Sequence, residues 1–445
     1  MQEFLCWKLR KVRKSMKKYF RKTIEYTAGN LFNKLLHLFL LPIFTRLMVP
    51  EEYAVYANLL IFLSFASLIY FLGLQQAIFS FFYQKKTNEY KFTIISSIYI
   101  MLIICGIILS FLIIIFRHQL SILIVRTALY QQLFIWISLI LFFDVIYGMT
   151  LSFLNIMERS ANYALLSNVK NTLFLILVIV ATILKKLDIN SIFVFLAISS
   201  FSSVIVSLLN MRKVVQKLSS VRFKKLFFSI PLIRDLLKFG IIMIPGTVAM
   251  ITLRMFDRYM LTYLSPNSLY DVGIYAIGYR VGMIMQFLIS MVSMVYFPYA
   301  MRISDHSEAT ASYKKVFNYY LLFGGILGFL IILFAAEIFY IFIDNAYYPA
   351  IKIVFFGVIS NFLLGVFNII NISFYVKKRA GKIAVAVGIG ALINIFLNYL
   401  LIPEFGIYGA GGASIFAYLF IVVYNYIAAE KVYPVGYKFR FVILT

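Results

Sequence analysis

Long apolar stretches alternate along the chain with short polar ones. Twelve of them are dominated by Leu, Ile, Phe and Val, at about 26–47, 53–76, 92–116, 130–155, 163–184, 190–211, 235–262, 271–301, 316–341, 348–376, 382–402 and 408–429. A helix rises 1.5 Å per residue, so roughly 20 residues cross about 30 Å of hydrocarbon, and each stretch is long enough. Within them the apolar positions run on without the period-two alternation that a membrane barrel requires. The pattern predicts an all-α integral membrane protein of about 12 transmembrane helices.

Composition supports this reading. Hydrophobic residues make up 63% of the 445 and charged residues 13%, too little polar surface to cover a soluble fold of this size. The net charge of +25 would suggest nucleic acid in a soluble chain, but its distribution points to a membrane and to no nucleic-acid partner. With the N-terminus in the cytoplasm, 31 of the 42 Lys and Arg fall in inside segments, 4 in outside loops and 7 within spans. That bias fits the positive-inside rule and puts both termini in the cytoplasm. Residues 1–25 form a basic amphipathic segment that reads as an interfacial helix on anionic membrane lipids, retained rather than cleaved. Cys6 and Cys105 fall on no shared oxidising side, so a structural disulfide is not expected. The scattered His37, His118 and His306 suggest no metal site.

The chain also repeats itself. "FTRLMVPEEYAVYA" (44–57) parallels "FDRYMLTYLSPNSLYDVGIYA" (256–276), and "LNIMERSANYA" (154–164) parallels "FYVKKRAGKIA" (374–384). Six spans separate equivalent points, so the halves share one orientation. This predicts two six-helix lobes related by a pseudo-two-fold along the membrane normal, 26–211 and 235–430, joined by a basic linker at 212–234 and followed by a cytoplasmic tail at 431–445.

The charges inside spans are the candidate chemistry. A central Lys, Arg or Asp costs about 2.5–3.5 kcal/mol to insert, so such residues pair, snorkel or face a wet cavity. Lys34, Arg46, Lys170, Arg254, Arg258 and Arg280 are candidates for a cationic substrate cavity. Arg46, Arg258 and Lys352 lie near span ends and are also placed to snorkel, whereas Arg254 sits roughly 16 Å below the Pro266 loop at 1.5 Å per residue. Asn30, Asn33, Lys34 and His37 form a polar stripe on the first span; Gln286 on the eighth and Asn361 and Asn368 on the tenth do likewise. Such stripes equally suit helix–helix hydrogen bonding. Asp257 reads as the internal partner of Arg254 or Arg258, or as an ion-coupling group. Asp144 is either a proton or sodium site or the partner of Lys170. Seven in-span cations against three acids leave positive charge in excess, which an anionic ligand would neutralise. "GIYGAGGAS" (406–414) opens a membrane helix with no preceding strand and is not a dinucleotide fingerprint, and no nucleotide-hydrolysing loop motif occurs.

"PIFTRLMVPEEYAVY", "FDRYMLTYLSPNSLYDVGIYAIGYRVG" and "LINIFLNYLLIPEFGIYGAGGAS" together resemble the polysaccharide transporters of the superfamily that also holds the MATE exporters and the lipid II flippase. The resemblance implies a MATE-like fold and a non-enzymatic O-antigen repeat-unit flippase of the bacterial inner membrane. Its substrate would be undecaprenyl-pyrophosphate-linked oligosaccharide, with a polysaccharide polymerase and chain-length regulator as partners. It implies no cofactor beyond coupling to a proton or sodium gradient. Many relatives carry fourteen spans, and this chain stops where a thirteenth would begin. The competing readings are a MATE-type small-molecule exporter, which would want a net acidic lining, and a membrane enzyme of polysaccharide assembly, which would want sizeable outside loops.

Overall fold

The computed structural model describes residues 32–33, 35–36, 38–85, 87–218, 228–304 and 308–437. The basic N-terminal segment, Asn30, Lys34, His37, the middle of the linker and the end of the tail lie outside the described residues. Every regular element among those described is helical. Among the described residues nine helices are long and apolar enough to cross a membrane, or ten if one bent pair is counted as a single span. This is a multi-pass membrane protein.

In chain order the elements are α1 (Leu38–Leu47), α2 (Pro50–Phe71), α3 (Leu74–Phe81), α4 (Asn88–Ile115), α5 (Arg117–Val125), α6 (Leu133–Ile156), α7 (Ser160–Ile183) and α8 (Ile189–Leu218). Then come α9 (Ile230–Leu264), α10 (Ser268–Gly282), α11 (Met285–Arg302), α12 (Ala309–Leu333), α13 (Ala335–Phe342), α14 (Ile351–Ile370), α15 (Ile372–Val376) and α16 (Gly381–Val432). The span expected at 53–76 ends early, at Phe71. Leu72 and Gly73 take φ of 51° and 71°, and α3 restarts at Leu74. Two forces act at Gly73: its left-handed backbone favours glycine, and a Cβ there would sit 2.2 Å from the Gly240 carbonyl oxygen. The span expected at 271–301 is likewise broken, α10 and α11 meeting at 44°. The expected spans 382–402 and 408–429 are the two arms of α16, separated by the non-helical Gly406 (φ 52°, ψ −129°). Leu401 meets Gly409, Asn394 meets Ser414 and Gly390 meets Ile421, the descending register of an antiparallel hairpin.

Two compact units interleave in sequence. One contains Ile69–Ile115 and Leu133–Ile242 with the described residues up to Phe39. Its interior is built on the fully buried Phe82, Phe134, Phe153, Phe174 and Phe193. Asp188 and Ser191 cap α8 reciprocally: Asp188 Oδ1 accepts the Ser191 N–H at 2.9 Å and Ser191 Oγ accepts the Asp188 N–H at 2.9 Å. On α4, Ile104, Ile107, Ile108, Phe111 and Ile115 form one exposed apolar stripe, the face suited to lipid.

The other unit contains Leu40–Leu68, Phe116–Gln132 and the chain from Met243 onward. The first two segments, from the first half of the chain, pack here with spans of the second half. Ala54 joins Leu261, Val272, Tyr275, Tyr279, Ile353, Ile402 and Ala410 in one core. In lipid the packing of helices rests on close van der Waals fit, with small residues at the contacts. Helices α10 and α14 show this where a Cβ on Gly282 would meet the Gly357 carbonyl carbon at 2.5 Å.

Candidate functional site

In the first unit, α6 and α7 bring Asp144 and Lys170 together across 26 residues of sequence. Lys170 Nζ lies 2.6 Å from both carboxylate oxygens, with side-chain exposures of 14% for Lys170 and 30% for Asp144. Lys170 also sits 6.0 Å from the Tyr147 ring. One turn of polar contacts ties in the first span: Asn171 donates to Asn33 Oδ1 at 2.9 Å, and Asn33 donates to the Ser167 carbonyl at 3.1 Å. Of the two readings open for Asp144, the structure shows the ion pair with Lys170. An anion approaching this lysine would have to share it with a carboxylate.

In the second unit the charges of α9 separate. Asp257 is 1% exposed. Its carboxylate accepts the Tyr275 hydroxyl at 2.5 Å, the Ser414 hydroxyl at 3.2 Å and the backbone N–H of Arg258 at 2.9 Å. Among the described residues it makes no ion pair within 4 Å with Arg254 or Arg258. The string continues along α16, where Asn394 donates to Ser414 Oγ at 3.5 Å and Asn398 donates to Asn394 Oδ1 at 3.1 Å. Asn398 Oδ1 itself is buried and accepts nothing among the described residues. The result is a buried group of oxygens from α9, α10 and both arms of α16.

Arg258 acts on the Asp257 carboxylate through its charge and its backbone N–H, with no side-chain ion pair between them among the described residues. Its guanidinium carbon lies 5.2 Å from the Tyr279 ring and 5.9 Å from Tyr275, a cation–π arrangement, and its Nε has no hydrogen-bond partner among the described residues. Arg254 is exposed and hydrogen-bonds Tyr418 on α16. Arg280 donates to the Tyr53 hydroxyl at 2.6 Å and also hydrogen-bonds Tyr56. Arg46 is exposed and donates to the Ile341 carbonyl at 3.5 Å. Gln286 donates to Asn361 at 3.0 Å, and Asn361 donates to the Gly357 carbonyl at 2.8 Å, so this stripe serves helix contact between α11 and α14. Asn368 is half-buried.

The sequence reading passed over Asn394, Asn398, Ser414, Tyr275 and Tyr53. The i, i+4 asparagines in "INIFLNYL" carried a readable signal, a polar pair in an apolar span. The tyrosines carried none, because 32 tyrosines stud the chain. Among the described residues no three His, Cys, Asp or Glu side chains gather to hold a metal ion.

A model of the polysaccharide biosynthesis protein family matches residues 19–304. The chain belongs to that family. Among solved structures, this family member is similar to the lipid II flippase MurJ in an inward closed conformation: TM-score 0.73, 17% identity, 92% of this chain and 87% of that one. It is also similar to an inward-facing multidrug resistance MATE family transporter of the MOP superfamily, with a TM-score of 0.69 and 12% identity over 92% of this chain and 95% of that one. At such identities the likeness is one of fold. An uncharacterised membrane protein of Methanocaldococcus jannaschii is 32% identical over 212 residues, 45% of this chain but only 40% of that protein's length.

Proposed function

We propose that this protein is a flippase for undecaprenyl-pyrophosphate-linked oligosaccharide, an O-antigen or similar repeat unit, moving it from the inner to the outer leaflet of a bacterial cytoplasmic membrane. Two lobes, 26–211 and 235–430, alternate access around a cationic cavity while the polyprenyl tail stays in lipid. The observation that carries the reading is the state of the in-span arginines. Arg254 and Arg280 are met by tyrosines rather than carboxylates, and Arg258 lies over Tyr279 with Asp257 acting on it only through space, so positive charge is left for an anion. A pyrophosphate held by guanidinium forks is a natural partner. Family membership and the fold shared with MurJ support the same reading.

Coupling to a cation gradient would run through Asp257. A buried carboxylate with no basic side chain in ion-pair contact, joined through the Ser414 hydroxyl to the amides of Asn394 and Asn398, offers hard oxygen ligands to sodium or an acceptor to a proton. The excess of in-span cations disfavours an exporter of cationic drugs.

The test is to delete the gene in its host and locate the lipid-linked oligosaccharide with a membrane-impermeant sugar-modifying probe. Complete repeat units should accumulate on the cytoplasmic side, with surface polymer lost. Repeat units still reaching the outer leaflet would refute a flippase. Arg254→Gln should reproduce the deletion in a folded protein; intact transport would remove Arg254 from the site.

A further inference from the structure

A second site lies in the first unit, with no charged residue in its lining. The break at Leu72–Gly73 sets α3 beside α6 and opens a cavity of about 360 Å³. Gln75, Gln76 and Phe79 reach it from α3, Ser152 and Asn155 from α6, and Tyr163 from α7. The α6 positions that line it, Gly148, Leu151, Ser152 and Asn155, recur at helical spacing, so one face of α6 forms its wall.

The chemistry of this wall is specific. No lining residue is charged. A phosphate would want Arg or Lys and a cationic drug a carboxylate, and neither is there. One turn along α6 from Gly148, Asp144 is already taken by Lys170. What the wall offers is amide and hydroxyl. The carboxamides of Gln75, Gln76 and Asn155 make no hydrogen bond to the chain among the described residues, so each still has two donors and an acceptor to give. Ser152 spends its proton on the Gly148 carbonyl at 3.1 Å and keeps its oxygen as an acceptor. Phe79, 52% exposed, supplies an aromatic face.

Paired donors and acceptors with an aromatic ring fit vicinal hydroxyls on an apolar C–H face, which is the surface of a pyranose. We infer that this cavity is a binding site for an uncharged sugar residue of the transported oligosaccharide, with Gln75, Gln76 and Asn155 setting specificity. This rests on the function proposed above. The volume lies at the lower end of the range for small-molecule pockets, about 300–1,000 Å³, and suits a single sugar rather than a whole repeat unit. Its position suits loading. Lys85, Lys91 and Arg159, its neighbours in sequence, are among the cations that the positive-inside bias puts on the cytoplasmic side.

The test uses the purified full chain in lipid nanodiscs and three probes. These are the lipid-linked oligosaccharide extracted from the deletion host, undecaprenyl pyrophosphate alone, and the oligosaccharide released from the lipid by mild acid. The glycosylated lipid should bind at least tenfold more tightly than the bare one. Gln75→Leu and Asn155→Leu should each remove about tenfold of that gain, which is 1.4 kcal/mol, and leave the bare lipid's affinity unchanged. Gln76→Leu, at an exposed position, repeats the test where folding is least disturbed. Released oligosaccharide binding with the same sensitivity would identify a sugar site that works without the lipid. Equal affinity for the two lipids in the wild type, or equal losses on both in the variants, would overturn the site while leaving the flippase standing. If neither lipid binds, the substrate reading fails and the site with it.

Discussion

Gly273 is where the geometry makes its sharpest demand. A Cβ on this α10 residue would lie 2.0 Å from the Pro50 carbonyl oxygen and 2.6 Å from its carbonyl carbon, at the start of α2. An unstrained carbon–oxygen contact is about 3.3–3.6 Å, so Gly273→Ala must push the two backbones apart by roughly 1.3 Å. No rotamer change relieves it, because the obstacle is main chain. Overpacking of this kind costs about 1–3 kcal/mol, partly offset by up to ~1 kcal/mol that alanine gains over glycine inside a helix. A net 1–2 kcal/mol should loosen the α2–α10 contact by about 5- to 30-fold. Pro50 belongs to the first half of the sequence and Gly273 to the second, so in the proposed cycle this contact must part. Ala54, fully buried four residues along α2, is the reporter. In a background with Cys6 and Cys105 replaced by serine, Ala54→Cys should react with a water-soluble maleimide 5- to 30-fold faster once Gly273→Ala is added. Gly388→Ala, where a Cβ meets nothing within 4 Å, is the control and should leave the rate unchanged. An unaltered rate in Gly273→Ala, or an equal rise in the control, would refute the reasoning.

The Asp144–Lys170 pair should behave as a coupled unit. At 2.6 Å and an effective dielectric of 20 the gross attraction is about 6 kcal/mol, most of it offset by desolvation. Lys170→Met or Asp144→Asn alone should cost about 1–3 kcal/mol in reversible unfolding in detergent, and the double variant should recover most of it. Additive losses would show that the two charges are independent. Asp257→Asn keeps the shape and the hydrogen-bonded string but removes the charge. Flipping measured in vesicles should lose its dependence on an imposed sodium or proton gradient while substrate binding persists; unchanged dependence would take the coupling role away from Asp257.

The helices, their approximate ends and the excess of cations were legible in the sequence because they follow from runs and periods within one span. The break at Gly406 falls between two expected spans, but the one at Gly73 was not read, although glycine marked it. The Gly73 break depends on the approach of Gly240, which lies 167 positions away. Two partners of Asp257 went unread for a related reason. Spacing on α9 nominated Arg254 and Arg258, which are near in sequence, whereas Tyr275 and Ser414 arrive from other helices. The amide cavity left no trace either: its glutamines and its asparagine sit in separate spans, and no single helix shows a polar stripe there.

The contact between Gly273 and Pro50 also bears on temperature. It is main chain against main chain, but the side chains packed round it, Ala54, Val272 and Tyr275, are fully buried. Heat-capacity changes in proteins come chiefly from apolar area entering water, so parting this contact should carry a positive one. An equilibrium with such a change has an enthalpy that drifts with temperature, and its van't Hoff plot curves. A host whose membrane warms or cools would then find the balance between closed and open forms changing unevenly, with a temperature at which it turns back on itself.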